Sequence, residues 1–160
     1  MTETDRVVAP IKINYEGNLD FNEIYHLIKK FFNDKKYDIN EKTHDYSDSG
    51  SFKVKWEAKH HFNDYTQFQI EISVKGSNAK KIKLNKKDAF SGKFTVEIES
   101  KINKDRQDYY EGEPIIKFFR ELFDYTVKGA EMSKFNTQVK NETYALFDEI
   151  KAYLGLQKLE

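Results

Sequence analysis

The sequence predicts an α+β protein with a mainly antiparallel sheet of about five to six strands, one face covered by helices, and a long C-terminal helix. Between residues 50 and 104, apolar residues keep to even-numbered positions, as in strands with one buried and one solvated face. No helical pattern separates these strands, which favours antiparallel pairing. Three other segments carry apolar residues at helical spacing, so helices can cover the apolar face of the sheet.

The first strand is predicted over residues 7–15, after a loose tail at residues 1–6. Pro10 predicts that this strand lies at a sheet edge or bends, because proline cannot donate a hydrogen bond to a neighbouring strand. A turn is expected at residues 17–18, where glycine precedes asparagine.

The first helix is predicted from Asp20 to Asn33. Asp20 is a favoured N-cap residue, and Glu23 lies three positions later, as in a capping box. One apolar stripe follows the helical repeat. Its members are Phe21, Ile24, Leu27, Ile28, Phe31 and Phe32.

The remaining strands are predicted over residues 37–46, 51–62, 66–75 and 92–104, with a further short strand around residues 81–84. Asn63 and Asp64 predict a tight hairpin turn. Four glutamates fall on the odd-numbered, solvated side, namely Glu57, Glu71, Glu97 and Glu99. Because a carboxylate in water has no raised pKa, we expect no acid–base role for them.

The second helix is predicted from Pro114 to Lys128, since proline is favoured at the first helical position. The third is predicted over residues 131–154 and ends at Gly155, with residues 155–160 as a frayed end. Its apolar stripe contains Met132, Phe135, Val139, Leu146, Phe147, Ile150 and Leu154. This stripe either seals the core or meets a partner, which is another protein or a second copy of the chain. Neither an internal repeat nor a linker appears, so residues 1–160 are predicted to form a single domain.

Composition restricts the classes of function. The 160 residues include 27 basic and 27 acidic side chains, so no net field favours nucleic acid or an anionic membrane. The chain has no cysteine, which excludes disulfides and thiol chemistry. It lacks an apolar run of about 18 residues, so no transmembrane segment is predicted. The polar N-terminus is unlike a signal peptide, and a cytoplasmic location is therefore expected.

No spacing typical of an activated nucleophile, a phosphate-binding loop or a zinc site is present. We therefore predict no catalytic residue, no metal ligand and no cofactor, and we favour a non-enzymatic role. His60 shares the even-numbered parity of Trp56 and should face the buried side. It is either part of a pocket or a core or rim histidine with one hydrogen bond.

Two sets of residues are candidates for binding. An apolar pocket between sheet and helices would be lined by Trp56, His60, Phe68, Phe94, Phe118, Phe119, Leu122 and Phe123. The alternative is a packed core, because protein interiors normally close. A polyanion could meet a lysine-rich hairpin formed by Lys80, Lys81, Lys83, Lys86 and Lys87. The alternative is a solvated hairpin whose lysines prevent edge pairing, and the near absence of arginine disfavours nucleic acid.

The order of elements over residues 7–154 resembles that of the START-like, or Bet v 1-type, helix-grip fold. In that family a curved sheet wraps a C-terminal helix and encloses a cavity for lipids or other apolar ligands. The chain differs by having one predicted helix after the first strand and two at the C-terminal end, and it carries no family motif. We therefore expect a binding or interaction module that uses an apolar surface or pocket between sheet and helices. The alternatives are a helix-grip carrier of a hydrophobic small molecule and weak polyanion binding.

Overall fold

The computed structural model describes residues 3–46, 50–62, 66–84, 86–104 and 129–158. Within them, five strands form one antiparallel sheet of order β1-β5-β4-β3-β2, accompanied by two helices. The elements are β1 (Glu3–Leu19), α1 (Phe21–Asp34), β2 (Asp38–Tyr46), β3 (Phe52–His61), β4 (Thr66–Leu84), β5 (Lys87–Lys104) and α2 (Gly129–Lys158). The predicted α+β class, with a long C-terminal helix, is confirmed. The predicted second helix and the turn at residues 63–64 lie outside the described residues.

Strand β1 lies at the edge of the sheet, and its register shifts between Val8 and Ile11. Both features agree with the prediction from Pro10, which lies within the shift. The strand is longer than predicted, because residues 3–6 pair with the end of β5 instead of forming a loose tail. The expected turn at residues 17–18 is likewise part of β1. The long neighbouring strand β5 supplies hydrogen-bond partners at both ends, which outweighs the local turn preference of glycine.

Strands β4 and β5 also extend beyond their predicted ends and form one long hairpin. Residues 81–84 are therefore the end of β4 and not a separate strand. A register shift lies between Ser77 and Lys80, and Asn78 inside it has a φ of 54°. A bulge of this kind breaks the two-residue period, which explains why the predicted strand stopped short. The backbone N–H of Ala79 donates to the carbonyl of Gly50 over 2.9 Å and holds the bulge against the start of β3.

The helix α1 begins as predicted. A side-chain oxygen of Asp20 accepts hydrogen bonds from the backbone N–H groups of Asn22 and Glu23, at 3.0 and 3.2 Å. The helix α2, in contrast, continues through Gly155 instead of ending there. One glycine costs a helix only about 1 kcal/mol, and the buried side chain of Leu154 beside it anchors this turn against the core.

The core lies between the helices and the side of the sheet that we call the inner face. Along β3 and β5, buried residues alternate with more exposed ones, and the buried ones are mostly even-numbered. Helix α2 packs on β1 and β5, while α1 contacts α2 and β2. The opposite side of the sheet, the outer face, carries the odd-numbered polar residues and has neither helix on it.

Candidate functional site

The described residues of the predicted apolar pocket lie together on the inner face. Trp56, Phe68 and Phe94 are each at most 2% exposed. Phe52 and Phe21 connect Phe94 and Trp56 into one aromatic layer, since Phe52 is 6.0 Å from Phe94 and 5.9 Å from Phe21, which is 5.8 Å from Trp56. Phe68 instead contacts Phe135 of α2, with ring centroids 5.7 Å apart. The other predicted pocket residues, Phe118, Phe119, Leu122 and Phe123, lie outside the described residues.

His60 lies next to Phe68 and makes one hydrogen bond. Its ring stacks on Phe68, with centroids 5.7 Å apart, and contacts Tyr37 at 5.3 Å. Its Nδ1 is 2.9 Å from the carbonyl oxygen of Lys36. Because a carbonyl can only accept, Nδ1 must carry the proton. His60 is half-buried, so it agrees with the rim form of the second alternative, a histidine at the edge of the core with one hydrogen bond.

Two polar groups on the inner face are buried without a hydrogen-bond partner in the described part of the chain. They are the indole Nε1 of Trp56 and the hydroxyl of Ser100, in residues 2% and 1% exposed. An unsatisfied buried donor costs about 1–3 kcal/mol. Trp56 pairs across the strands with Ile72, and Ser100 pairs with Ile70. Ser100 therefore lies two strands away from Trp56 and two residues further along the sheet, which puts their Cα atoms roughly 12 Å apart. The two groups cannot form a hydrogen bond with each other.

Ser100 was not among the candidates from the sequence, although the sequence contains its signal. It is a polar residue at an even-numbered position, between Ile98 and Ile102, which are fully buried. A break of this kind in a buried strand marks a place where a polar atom enters the core. Burying this hydroxyl costs free energy unless a hydrogen-bond partner compensates for the lost water.

The apolar stripe of α2 packs against the core of the same chain. Its described core residues are all buried: Phe135, Val139, Leu146, Ile150 and Leu154. Thr143 lies in the same row, fully buried, and its hydroxyl donates to the carbonyl of Val139 over 2.6 Å. The described stripe therefore seals the core, as the first of the two predicted alternatives states.

Two tyrosines tie α2 to the elements around α1. The hydroxyl of Tyr37 donates to Glu142 over 2.5 Å, and that of Tyr153 donates to Glu23 over 2.8 Å. Burial first, and then the hydrogen bond to the carboxylate and its charge, raise the pKa of both phenols far above 10.0. Glu23 thus bonds to α2, although its position suggested a capping box.

The outer face is less solvated than expected at one pair of carboxylates. Glu71 and Glu99 face each other across β4 and β5, with side chains 11% and 29% exposed. A hydrogen bond between the carboxyl groups, together with Lys101 and Lys55 at 3.6 Å, lowers the pKa of Glu71 against its burial. The same hydrogen bond, burial and the neighbouring charge raise the pKa of Glu99. The expectation that these carboxylates have no raised pKa is wrong for Glu99.

Next to this pair lies a cluster of amide side chains. Asn103 donates to Gln67 and to Gln69 over 2.9 and 2.8 Å, and all three residues are buried. Gln69 in turn donates to Glu71 over 2.9 Å. One hydrogen bond of this cluster reaches Glu71, and the others join amide groups across β4 and β5, so the cluster acts as a polar link between strands. We assign it no acid–base chemistry.

The lysines of the predicted polyanion site do not share one surface. Cross-strand partners point to the same face of a sheet. Lys80 pairs with Ser91 on the outer side, whereas Lys81 pairs with Phe90, whose ring contacts Phe52 in the core layer. Lys83 follows on that second side and faces Asp88. The remaining two, Lys86 and Lys87, lie at the hairpin tip, and all five are exposed.

Neither helix of the described residues has the length and apolar character needed to cross a bilayer. No group of three or more histidines and carboxylates within the described ranges could hold a metal ion. No known family model matches the chain, and a search of curated proteins finds no match either.

Proposed function

We propose that this protein binds a small apolar molecule that carries a hydrogen-bond acceptor, held between the inner face and the helices. The proposal is carried by one observation. The indole N–H of Trp56 is buried and has no partner among the described residues. An acceptor atom on a bound molecule would satisfy this donor and remove its cost of about 1–3 kcal/mol.

The surroundings of Trp56 suit such a ligand. The rings of Phe21 and Tyr25 lie 5.8 and 5.6 Å from the indole, and the opposite residue on β4 is Ile72. Mostly apolar walls with few polar groups are typical of small-molecule sites, where the polar groups fix the orientation. The hydroxyl of Ser100, also unpaired on the inner face, offers a second polar contact.

The strand order supports the proposal at the level of the fold. Strand β1 lies beside β5, and β2 forms the opposite edge, so α1 connects the two edges of the sheet. Helix α2 lies over β1 and β5. This arrangement is similar to the helix-grip architecture that the element order suggests. Because a fold does not by itself define a ligand, the unpaired indole remains the main support.

The chain offers a direct assay, because it contains a single tryptophan. The indole N–H gives one resonance in a ¹⁵N-correlated spectrum, and it can be followed while acetophenone or ethylbenzene is added. The two probes have similar size and differ by a carbonyl acceptor. We expect acetophenone to shift this resonance downfield and to bind more tightly than ethylbenzene. Native mass spectrometry of the purified protein would identify any retained small molecule.

The matched variants are Trp56→Phe and, as a control, Tyr144→Phe, which removes a hydroxyl from a 41% exposed residue on α2. One hydrogen bond corresponds to about a 2- to 12-fold change in affinity. Because Trp56→Phe removes the indole resonance, the variants are titrated by their backbone amide shifts. Trp56→Phe should weaken acetophenone binding by this factor relative to ethylbenzene, while the control should change neither. If neither probe moves the indole resonance and no molecule is retained, the interior is a closed core and the proposal is wrong.

A further inference from the structure

The lysines of the outer face fall into two groups. Toward one end of the sheet, three lysines have a carboxylate partner. The ion pairs are Lys55–Glu71, Lys59–Glu57 and Lys101–Glu71, at 2.9 to 3.6 Å. Toward the β4–β5 hairpin, Lys53, Lys75 and Lys93 make no ion pair with any described residue. Positive charge therefore accumulates at this end, although the chain as a whole is neutral.

These three lysines line one groove on the outer face, with a volume of about 470 Å³. Lys53 and Lys75 are direct cross-strand partners on β3 and β4, where like charges repel and destabilise the sheet. Lys93 on β5 belongs to the next cross-strand pair on the same face, in which its partner is Ser77. The hydroxyls of Ser51 and Ser77 also line the groove.

Two carboxylates lie near the groove lysines: Asp45 lines the groove itself, and Glu16 lies at its margin. Asp45 on β2 lies opposite Lys53, and Glu16 on β1 lies opposite Lys93. Both are exposed, and neither comes within ion-pair distance of a groove lysine. Lys75, in the middle of the three strands, has only another lysine and Thr95 as its cross-strand neighbours. The centre of the groove is therefore positive.

We propose that this groove is a binding site for a small molecule that carries a phosphate group. Several ammonium groups with nearby hydroxyls suit a phosphate, whose oxygens accept from several donors at once. The volume falls within the range of small-molecule sites. A long polyanion would need a continuous basic track, but Lys81 and Lys83 point to the other side of the hairpin. The site lies on the face opposite to the proposed apolar ligand, so each proposal can fail without the other.

Pyrophosphate is a suitable probe. Backbone amide shifts would be recorded during a titration at constant ionic strength, for the unmodified protein and for the triple variant Lys53→Gln, Lys75→Gln, Lys93→Gln. The matched control is Lys81→Gln, Lys83→Gln, Lys86→Gln, which removes the same charge from the hairpin outside the groove. All substituted residues are exposed, and equal melting temperatures would show that both variants fold.

We expect pyrophosphate to shift the amides around residues 53, 76 and 93, with at least about 10-fold weaker binding in the groove variant and less than about 2-fold change in the control. Equal losses in the two variants would show an unspecific charge effect and overturn the site, as would the absence of shifts. Vesicles of phosphatidylcholine with and without phosphatidic acid form the second arm. Binding to the anionic vesicles without binding of pyrophosphate would make the groove a membrane contact and refute the proposal.

Discussion

Replacing Tyr37 by phenylalanine tests how α2 is held against the rest of the fold. The residue is 3% exposed, and its hydroxyl donates to Glu142 over 2.5 Å. The change removes this hydrogen bond and keeps the ring, which packs against Phe32 and His60. Hydrogen bonds to charged groups contribute about 1.5–3 kcal/mol. Because Glu142 is only half-buried and keeps Gln138 as a donor, we expect the lower value, a loss of about 1.5 kcal/mol at pH 7.

The pH dependence of this loss makes the prediction specific. Burial, then the hydrogen bond and charge of Glu142, raise the pKa of Tyr37 far above its ordinary value of 10.0. Above that pH the unfolded chain releases the phenolic proton while the folded protein keeps it. The stabilising effect is thus complete below pH 10, and it decreases by about 1.4 kcal/mol per pH unit above it. The variant lacks this group, so the difference of about 1.5 kcal/mol should shrink almost to zero near pH 11.

The measurement is urea unfolding followed by circular dichroism, at neutral pH and near pH 11, for both proteins. Tyr144→Phe is the control, because this residue on the same helix is 41% exposed and its substitution should change the free energy of unfolding by less than about 0.5 kcal/mol. A difference between Tyr37→Phe and the unmodified protein that stays constant or grows at high pH would refute the buried contact with Glu142.

Three further changes test other parts of the structure. Asp20→Ala should cost about 1 kcal/mol in urea unfolding because α1 loses its N-cap, whereas Asp20→Asn should retain most of the stability; equal losses would rule out a capping role. Leu146→Ala should cost about 2–5 kcal/mol, since this α2 residue is fully buried, while Lys140→Ala on the exposed side should cost less than about 0.5 kcal/mol; similar effects would contradict the packing of α2. Glu99→Gln keeps an N–H donor to Glu71 at every pH. Because the pKa of Glu99 is raised, its stabilising effect is complete below the unfolded pKa of 4.5 and is lost as the pH rises through the folded pKa. The variant should therefore gain on the unmodified protein as the pH rises above 4.5; parallel stability profiles would exclude the shared hydrogen bond.

The predictions that agree with the structure are those that depend on the local backbone conformation. Asp20 predicted the start of α1, and Pro10 predicted an irregular edge strand. The two-residue period placed Trp56, Phe68 and Phe94 on one buried face, because strand geometry leaves no alternative. These features depend on neighbours in sequence, so a single sequence was sufficient to predict them.

The features that the sequence did not predict depend on contacts between distant residues. The ends of β1 were mistaken for a tail and a turn, because their partners lie about 75 to 100 residues away on β5 and the pairing has no local signature. The bulge near Ser77 hid the second half of β4. The raised pKa of Glu99 arises because it faces Glu71 across the sheet, and periodicity alone gave only the face on which each one lies. Whether a lysine forms an ion pair or lies in the groove depends on which residues it faces across the strands. Composition does not contain this information.

A net charge of zero therefore conceals a surface on which opposite charges are separated along the strands. Within β3 and β4, the nearest glutamate of the outer face lies four residues along the strand from each groove lysine, Glu57 from Lys53 and Glu71 from Lys75. At about 3.3 Å per residue, this spacing is roughly 13 Å, which exceeds the screening length of about 8 Å at physiological salt. Both glutamates are in addition already paired with other lysines.

The carboxylates nearer to the groove lysines lie on neighbouring strands, namely Asp45, Glu16 and Glu97. They lower the local positive potential, but none of them forms an ion pair with a groove lysine. The three ammonium groups therefore keep their hydrogen-bond donors available to an anion that binds there.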